Sequence, residues 1–204
     1  MSTYRKMGVI CFHSTSKIGR IIPLFTLPFW KAILKPHKIK EAYINCATHV
    51  AVWFEDMHGI QVYYEALEGE GWQGAFPVSK AQEWAEEVPE RWVKQYDLTR
   101  FLALSQPAIG RRVGFCEEMK KYWHYNVQQF VLFLRSARLL RRLVPSSTTG
   151  VICSEAAGRI CHSDVFDFRE ICHKRHFDHL SPEDIHRACE MLEALADNDM
   201  VGGA

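Results

Sequence analysis

The sequence predicts an α+β fold in which a small antiparallel sheet, or a partial barrel, packs on a helix that bears a cysteine. Two runs rich in β-branched and aromatic residues, 48–54 and 60–66, flank the turn-forming stretch 55–59 and indicate a β-hairpin. Much later in the chain, the apolar pair 151–152 leads into Cys153 and an alanine-containing stretch. This pattern indicates a short apolar lead followed by the start of a helix.

Composition and charge narrow the classes of protein to consider. Of the 204 residues, 48% are hydrophobic and 24% are charged, which is typical of a globular chain rather than a disordered or fibrous one. No repeat or break in composition divides the chain, so we expect one domain over residues 1–204. The formal net charge is +1. A charge this close to zero provides no overall attraction for nucleic acid, and we expect no such partner.

The cysteines and the N-terminus favour a cytoplasmic location. Seven cysteines cannot all pair within one chain, and they lack the regular spacing of secreted domains. The apolar run behind the N-terminal cations covers only 8–12, which is too short for a secretion signal. Prolines and charges interrupt 18–34, so we expect no membrane span. The apolar and basic segment 18–40 leaves peripheral membrane contact, or a role as a lid, open.

Before the hairpin, the chain predicts one strand and one helix. Residues 8–12 form a short apolar run that indicates a buried strand. The hydroxyl-rich stretch 14–16 is a candidate cap for a helix through 18–22. After the hairpin, glycines at three positions between 69 and 74 predict a flexible loop.

The middle of the chain predicts two short helices and a strand. A helix is expected over 79–87, with its first residue, a serine, as the cap. Residues 91–96 are rich in Trp, Val and Tyr and predict a strand. A second helix begins at 99–105, and Pro107 and Gly110 are expected to end it.

The last third predicts two longer helices. The longest candidate runs over 115–143 and ends in a basic run at 135–142, which we interpret as a solvated face. A membrane-facing or phosphate-facing patch is the alternative. Near the C-terminus, Ser181 and Pro182 have the chemistry of an N-cap and a first helical residue, for a helix to about residue 195.

Three residues have the chemistry of nucleophilic catalysis. His49 begins one strand of the predicted hairpin and Glu65 lies near the end of the other, so antiparallel pairing can bring them together. A cysteine at a helix N-terminus, such as Cys153, meets the positive end of the helix dipole, which favours its thiolate form. A nucleophile, a base and a residue that orients the base make up the usual catalytic set.

The residues around these positions resemble a known family. The stretches Thr48-His-Val-Ala-Val-Trp-Phe54, Val62-Tyr-Tyr-Glu-Ala66 and Val151-Ile-Cys-Ser-Glu155 resemble the circularly permuted papain-like cysteine hydrolases related to the NlpC-type cell-wall peptidases. In that group the histidine precedes the cysteine in the chain. The stretch Gly8-Val-Ile-Cys-Phe12 resembles the family's first strand, without its acidic residue, and Leu180-Ser-Pro-Glu-Asp-Ile185 resembles the run after the cysteine helix.

The resemblance implies a role for each residue. Cys153 would be the nucleophile, His49 the general base and Glu65 the orienting acid, with the backbone N–H of Cys153 as one oxyanion donor. The expected activity is hydrolysis of an amide or ester through an acyl-enzyme. The substrate would be a cell-wall or other peptide, or an acylated or lipid-linked amide or ester. The resemblance implies no cofactor.

Several alternatives stay open from the sequence alone. Glu68 or Glu70 replaces Glu65 if the hairpin pairs in another register. The chain can also be a papain-like binding protein with an idle site. A zinc-stabilised interaction module over 161–179 is the third alternative, because that segment is dense in Cys and His, although the chain has no Cys-x-x-Cys.

Overall fold

The computed structural model describes residues 3–13, 46–67, 69–125 and 150–201. Within these ranges the chain is α+β, with a five-stranded antiparallel sheet and helices around it. The elements in chain order are β1 (Tyr4–His13), β2 (His49–Asp56), β3 (Gln61–Leu67), β4 (Gly71–Pro77), α1 (Val78–Glu86), β5 (Trp92–Asp97), α2 (Thr99–Leu102), α3 (Gln106–Met119), β6 (His124–Tyr125), β7 (Gly150–Val151), α4 (Cys153–Ile160), α5 (Phe168–Ile171), a 3₁₀ turn (Phe177–His179) and α6 (Pro182–Val201).

The sheet is built around the predicted hairpin. Its strand order is β4-β3-β2-β1-β5, with every neighbouring pair antiparallel. The turn between β2 and β3 is fixed by Asp56, whose Oδ1 accepts the N–H groups of His58 at 2.8 Å and Ile60 at 2.9 Å. Gly59 follows with φ +81°, a conformation that favours glycine. The hairpin predicted from the sequence is confirmed.

The two faces of the sheet belong to two apolar clusters. Val50 and Val52 of β2 join the larger cluster, to which α3, α4 and α6 also contribute. Their neighbours Ala51 and Trp53 point the other way, into a smaller cluster that α1 covers. This alternation follows from the two-residue repeat of a strand. Both faces of the central strand are therefore buried.

Gly8 in β1 permits a close contact with β5. A Cβ at this position would overlap the carbonyl oxygen of Tyr96 and would lie 2.8 Å from Nε1 of Trp53. Trp53 Nε1–H donates to that same carbonyl at 2.9 Å. The absent side chain therefore makes room for a buried indole hydrogen bond that passes over β1, from β2 to β5.

The four predicted strands and both helix starts near the C-terminus are confirmed. The strands predicted at 8–12 and 91–96 are observed as β1 and β5, and α4 begins at Cys153 as predicted. Ser181 caps α6, since its Oγ accepts the N–H of Asp184 at 3.1 Å. The helix extends to Val201, beyond the predicted end.

The flexible loop predicted from the glycines after the hairpin is wrong. Residues 71–77 form strand β4, paired with β3. Gly71 has φ +78°, and a Cβ at Gly74 would overlap the ring of Tyr64, so these glycines allow backbone and ring to approach. The predicted serine cap of the next helix is also wrong. Pro77 occupies the N-cap position of α1, and no side chain caps that end.

The helix boundaries predicted around residue 110 are wrong as well. Pro107 lies at the start of α3 rather than beyond the end of a helix, where its missing N–H costs nothing. Gly110 lies inside α3. The helix predicted over 115–143 ends at Met119, and β6 follows at His124–Tyr125. Beyond that strand, 126–143 and its basic run lie outside the described residues.

Two further predictions fall outside the described ranges. The helix predicted over 14–22 lies there, and so does the segment 18–40 that we considered as a lid or a membrane contact. Among the residues that the structure describes, no helix has both the length and the apolar character to cross a membrane.

Candidate active site

Helix α4 is held firmly at the end that bears the cysteine. The parallel pair β6–β7 leads the chain to Val151, and Cys153 is the first residue of the helix. Every residue of α4 except Arg159 is buried. Ser154, next to the cysteine, donates its hydroxyl to the carbonyl of Leu180 at 2.6 Å. These contacts fix the direction in which the first turn presents its side chains.

The hairpin brings His49 and Glu65 together at one end of the sheet. The pairing of Ala51 with Glu65 places the carboxylate on the same face as the imidazole. His49 Nε2 lies 2.8 Å from Oε2 of Glu65. The sulfur of Cys153 lies close enough to His49 to raise the pKa of the imidazole. Because Glu65 occupies Nε2, Nδ1 is the ring nitrogen left for the thiol.

The charges around His49 favour its protonated form. Burial lowers the pKa of His49, but the sulfur of Cys153 and the carboxylate of Glu65 outweigh burial and raise the pKa to about 10. The imidazole is therefore an imidazolium at neutral pH when it faces a thiolate. This is the electrostatic pattern of a cysteine–histidine ion pair.

The site is enclosed but reachable at the histidine. Cys153 is 2% exposed, and the side chains of Glu65 and His49 are 11% and 20% exposed. The ring of Phe12 packs against His49 with centroids 5.3 Å apart. A reactant that approaches from solvent therefore meets the imidazole before the sulfur.

The first turn of α4 provides backbone donors beside the sulfur. The leading N–H groups of a helix have no partner within the helix, so the amide of Cys153 can face an anion. Glu155 in this turn forms an ion pair with Arg159 one turn later, at 2.7 Å. Its negative charge also complements the positive end of the helix dipole, as is usual for an acidic residue in a first helical turn.

Sequence reasoning did not include Tyr63 among the neighbours of the site. It lies on the same face of β3 as Glu65, two positions along the strand. Burial, together with the charge of Glu65, raises the pKa of Tyr63. The spacing i, i+2 on a strand was the available signal, because such residues share a face.

The geometry also bears on two alternatives from the sequence, a different glutamate beside His49 and a zinc site over 161–179. His49 pairs with Glu65, whereas Glu70 is exposed and Glu68 lies outside the described ranges. In the segment considered for zinc, the rings of His176 and His179 lie 5.1 Å apart. In the parts of the chain described, however, no group of three or more His, Cys, Asp or Glu is arranged to hold a metal ion.

A cavity of about 590 Å³ lies away from these three side chains. It lies between β5 and α6, and Trp92, Lys94, His186 and Glu190 are among its lining residues. Positive and negative groups line it together. It does not include Cys153, so its size gives no argument about the chemistry of the thiol.

Comparison with known proteins adds no functional information. No family model, curated protein or solved structure matches the chain. The roles of Cys153, His49 and Glu65 therefore rest on the geometry of the three side chains and on their order in the chain.

Proposed function

We propose that the protein is a thiol hydrolase that cleaves an amide or ester bond through an acyl-enzyme. Cys153 is the nucleophile, His49 the general base and acid, and Glu65 the residue that orients the imidazole. One observation carries the proposal. The imidazole of His49, held 2.8 Å from Glu65, meets a cysteine at the first position of a buried helix.

The nucleophile forms by proton transfer within the pair. The thiol proton of Cys153 moves to Nδ1 of His49, which leaves a thiolate beside an imidazolium. The raised pKa of His49, about 10, favours this state at neutral pH. The positive end of the α4 dipole also stabilises the negative sulfur. Glu65 accepts from Nε2–H and stabilises the positive ring.

Acylation of Cys153 then follows. The thiolate attacks the carbonyl carbon, and the electron pair of the C=O bond moves onto oxygen. The backbone N–H of Cys153 is placed to bind that oxyanion. As the tetrahedral intermediate collapses, the bond to the leaving nitrogen or oxygen breaks, and the His49 imidazolium gives that atom its proton. A thioester on Cys153 and a neutral His49 remain.

Deacylation regenerates the protein. Neutral His49 takes a proton from water as the water oxygen attacks the thioester carbonyl. The carbon–sulfur bond breaks, the acid product leaves, and the thiolate and imidazolium are restored. Another acceptor, such as an amine or alcohol, replaces water if the protein is a transferase.

The proposal includes the fold family and a substrate class. The order His49, Glu65, Cys153, with a helix bearing the cysteine against an antiparallel sheet, supports a permuted papain-like fold related to the NlpC-type enzymes. The substrate is a peptide or an acylated amide or ester. The second candidate, an idle papain-like binding protein, is favoured by one observation, the 2% exposure of Cys153.

Trapping the acyl-enzyme tests both candidates. The protein is incubated with p-nitrophenyl acetate, p-nitrophenyl decanoate and a dipeptide p-nitroanilide, quenched in acid and digested for peptide mass spectrometry. We expect an acyl mass on Cys153 with at least one reagent, and the reagent that reacts identifies the substrate class. Folded protein with no adduct on Cys153 would support the idle scaffold instead. The variant Cys161→Ala is the control, and it should acylate as the wild type does.

A further inference from the structure

We infer that Glu183 is a positioning residue of the proposed site, which ties the strand of His49 to the same helix start that holds the cysteine end of α4. The inference rests on the proposed function for its catalytic meaning. The hydrogen bonds involved can be tested without a substrate.

The backbone N–H of Ala47 has a side chain, rather than a neighbouring strand, as its partner. β1 and β2 pair as far as Phe12 and His49, and Ala47 lies two residues before that last pair. Its N–H donates to Oε2 of Glu183 at 2.8 Å. Ala47 is fully buried, and Glu183 is 8% exposed. Because a buried N–H needs an acceptor, the carboxylate fixes the backbone just ahead of His49.

Glu183 is itself held in place. Its other oxygen, Oε1, accepts from Nε of Arg187 at 2.5 Å, one turn later in α6. Glu183 also lies in the first turn of α6, where the positive end of the helix dipole favours a carboxylate. Ser181 and Asp184 cap this helix end reciprocally, with N–H donors at 3.0 Å and 3.1 Å. The carboxylate is therefore a fixed point to which another segment can be tied.

The same helix start also holds α4. Leu180, directly before the capping serine, accepts the hydroxyl of Ser154 at 2.6 Å. Ser154 follows Cys153 in the first turn of α4, and α4 packs directly on β2. Residues 180–183 therefore make one bond two residues before His49 and another to the residue after Cys153.

These two bonds have a consequence for the proposed ion pair. An imidazolium and a thiolate stabilise each other only at short range, because their attraction falls with separation. His49 begins β2 and Cys153 begins α4, so each has neighbours within its own element on one side only. The bonds from 180–183 support the other side. Loss of the bond to Ala47 should let the start of β2 move while the rest of the sheet stays paired.

Two uncharged substitutions at one position isolate the bond to Ala47. Glu183→Gln keeps an oxygen that can accept the Ala47 N–H, whereas Glu183→Met has similar length but no oxygen. Both remove the charge that pairs with Arg187. Arg187→Met is the control, since it removes that ion pair and leaves the bond from Ala47 to Glu183 in place.

The experiment measures the rate of iodoacetamide labelling of Cys153 against pH, by peptide mass spectrometry, in the wild type and these three variants. In Glu183→Met we expect the midpoint of the rate to rise by about one pH unit, with labelling below the midpoint about tenfold slower. Glu183→Gln and Arg187→Met should label within about threefold of the wild type. Thermal unfolding accompanies each measurement, because a role in stability alone would lower the Tm and leave the midpoint unchanged.

An unchanged midpoint in Glu183→Met overturns the role of Glu183, whatever its Tm. An equal rise in Glu183→Gln or in Arg187→Met also overturns it, because loss of the charge would then be the cause. Amide hydrogen exchange covers the case in which Glu183→Met does not fold. We expect the Ala47 N–H to be protected in the wild type and in Glu183→Gln, and exchange at the rate of an unprotected amide overturns the inference.

The outcomes also separate this inference from the proposed function. Wild-type Cys153 that labels no faster than Cys161 at any pH contradicts the proposed function. The exchange of the Ala47 amide still tests the bond to Glu183 in that case.

Discussion

The two ends of helix α4 each bear a buried cysteine, and within the described ranges only Cys153 lies beside an imidazole. Cys153 is the first residue of the helix, and its sulfur lies close enough to His49 to raise the pKa of the imidazole. Cys161 is the C-cap, and its N–H donates to the carbonyl of Ala157 at 2.9 Å. Both are at most 2% exposed. Burial alone therefore does not distinguish the proposed nucleophile from a core thiol.

The two ends of α4 differ in the charges that surround the cysteine sulfur. Burial raises the pKa of Cys161 to about 12, although the charge of Arg112 opposes it. That guanidinium is engaged with the carbonyls of Ile160 and His162 at the negative end of the helix. At the other end, Cys153 faces the positive end of the helix dipole and lies beside the imidazole of His49. We therefore propose that position on the helix, together with one neighbouring side chain, decides which cysteine reacts.

The largest predicted effect comes from removing each sulfur in turn. Cys153→Ala should lower hydrolysis of the reagent that forms the adduct by about a thousandfold or more, because the acyl acceptor is lost. Cys161→Ala should leave kcat/KM at the wild-type value. Steady-state kinetics measures both, and thermal unfolding checks that each variant is folded. An equal loss of kcat/KM in Cys153→Ala and Cys161→Ala would contradict the proposal that the cysteine at the start of α4 is the one that reacts.

The next largest effect is expected from the orienting carboxylate. Glu65→Gln should lower kcat about tenfold to a hundredfold, because the imidazolium loses a charged hydrogen-bond partner. Glu117→Gln removes the charge from a carboxylate that serves Tyr64 on the other face, and it should keep wild-type kcat. Equal kcat in Glu65→Gln and Glu117→Gln would show that catalysis by His49 does not depend on the charge of Glu65.

A smaller effect is expected from alkaline pH. The pKa of His49 is raised to about 10, so the imidazolium is present below that pH and is lost as pH rises through it. Because the leaving group takes its proton from the imidazolium, kcat should fall about tenfold per pH unit above about 10. A pH–rate profile on the amide reagent measures this fall. A decline centred near 6.5 would show that His49 has its ordinary pKa.

The smallest effect on activity, but a measurable one on stability, comes from the middle of α4. A Cβ at Gly158 would lie 2.7 Å from Leu180 and 2.9 Å from Phe177, so Gly158→Ala should destabilise the protein by about 1–3 kcal/mol. Gly110 in α3 has open space, and Gly110→Ala should stabilise by roughly 0.5–1 kcal/mol. Urea unfolding compares the two. Stabilisation by Gly158→Ala as well as by Gly110→Ala would show that α4 is not tightly packed there.

The sequence predicted the local parts of this arrangement well. The hairpin follows from two alternating runs around a turn with Asp and Gly, and the start of α4 follows from an apolar lead. Strand β4 was not predicted, because its glycines also fit a loop. Only the packed ring of Tyr64 shows that Gly74 makes room for a close contact. Pro107 was misread for a related reason, since proline both begins and ends helices.

The site itself was predictable only in part. Antiparallel pairing in the hairpin predicted that His49 and Glu65 lie together. The approach of His49 to Cys153 depends on tertiary packing, which no spacing of residues in the chain predicts. Tyr63 was overlooked because an aromatic residue in a strand is usually core. Its place beside Glu65 depends on which face of β3 its side chain occupies, and the register of β2 and β3 fixes that face.

The most direct test of the central claim is thiol labelling with iodoacetamide at about pH 6, read by peptide mass spectrometry. Cys153 and Cys161 are measured in the same digest, so one end of α4 is the control for the other. We predict that Cys153 labels about a hundredfold faster than Cys161, and that His49→Ala removes most of this advantage. Labelling of Cys153 in folded wild-type protein no faster than that of Cys161, or unchanged in His49→Ala, would contradict the account.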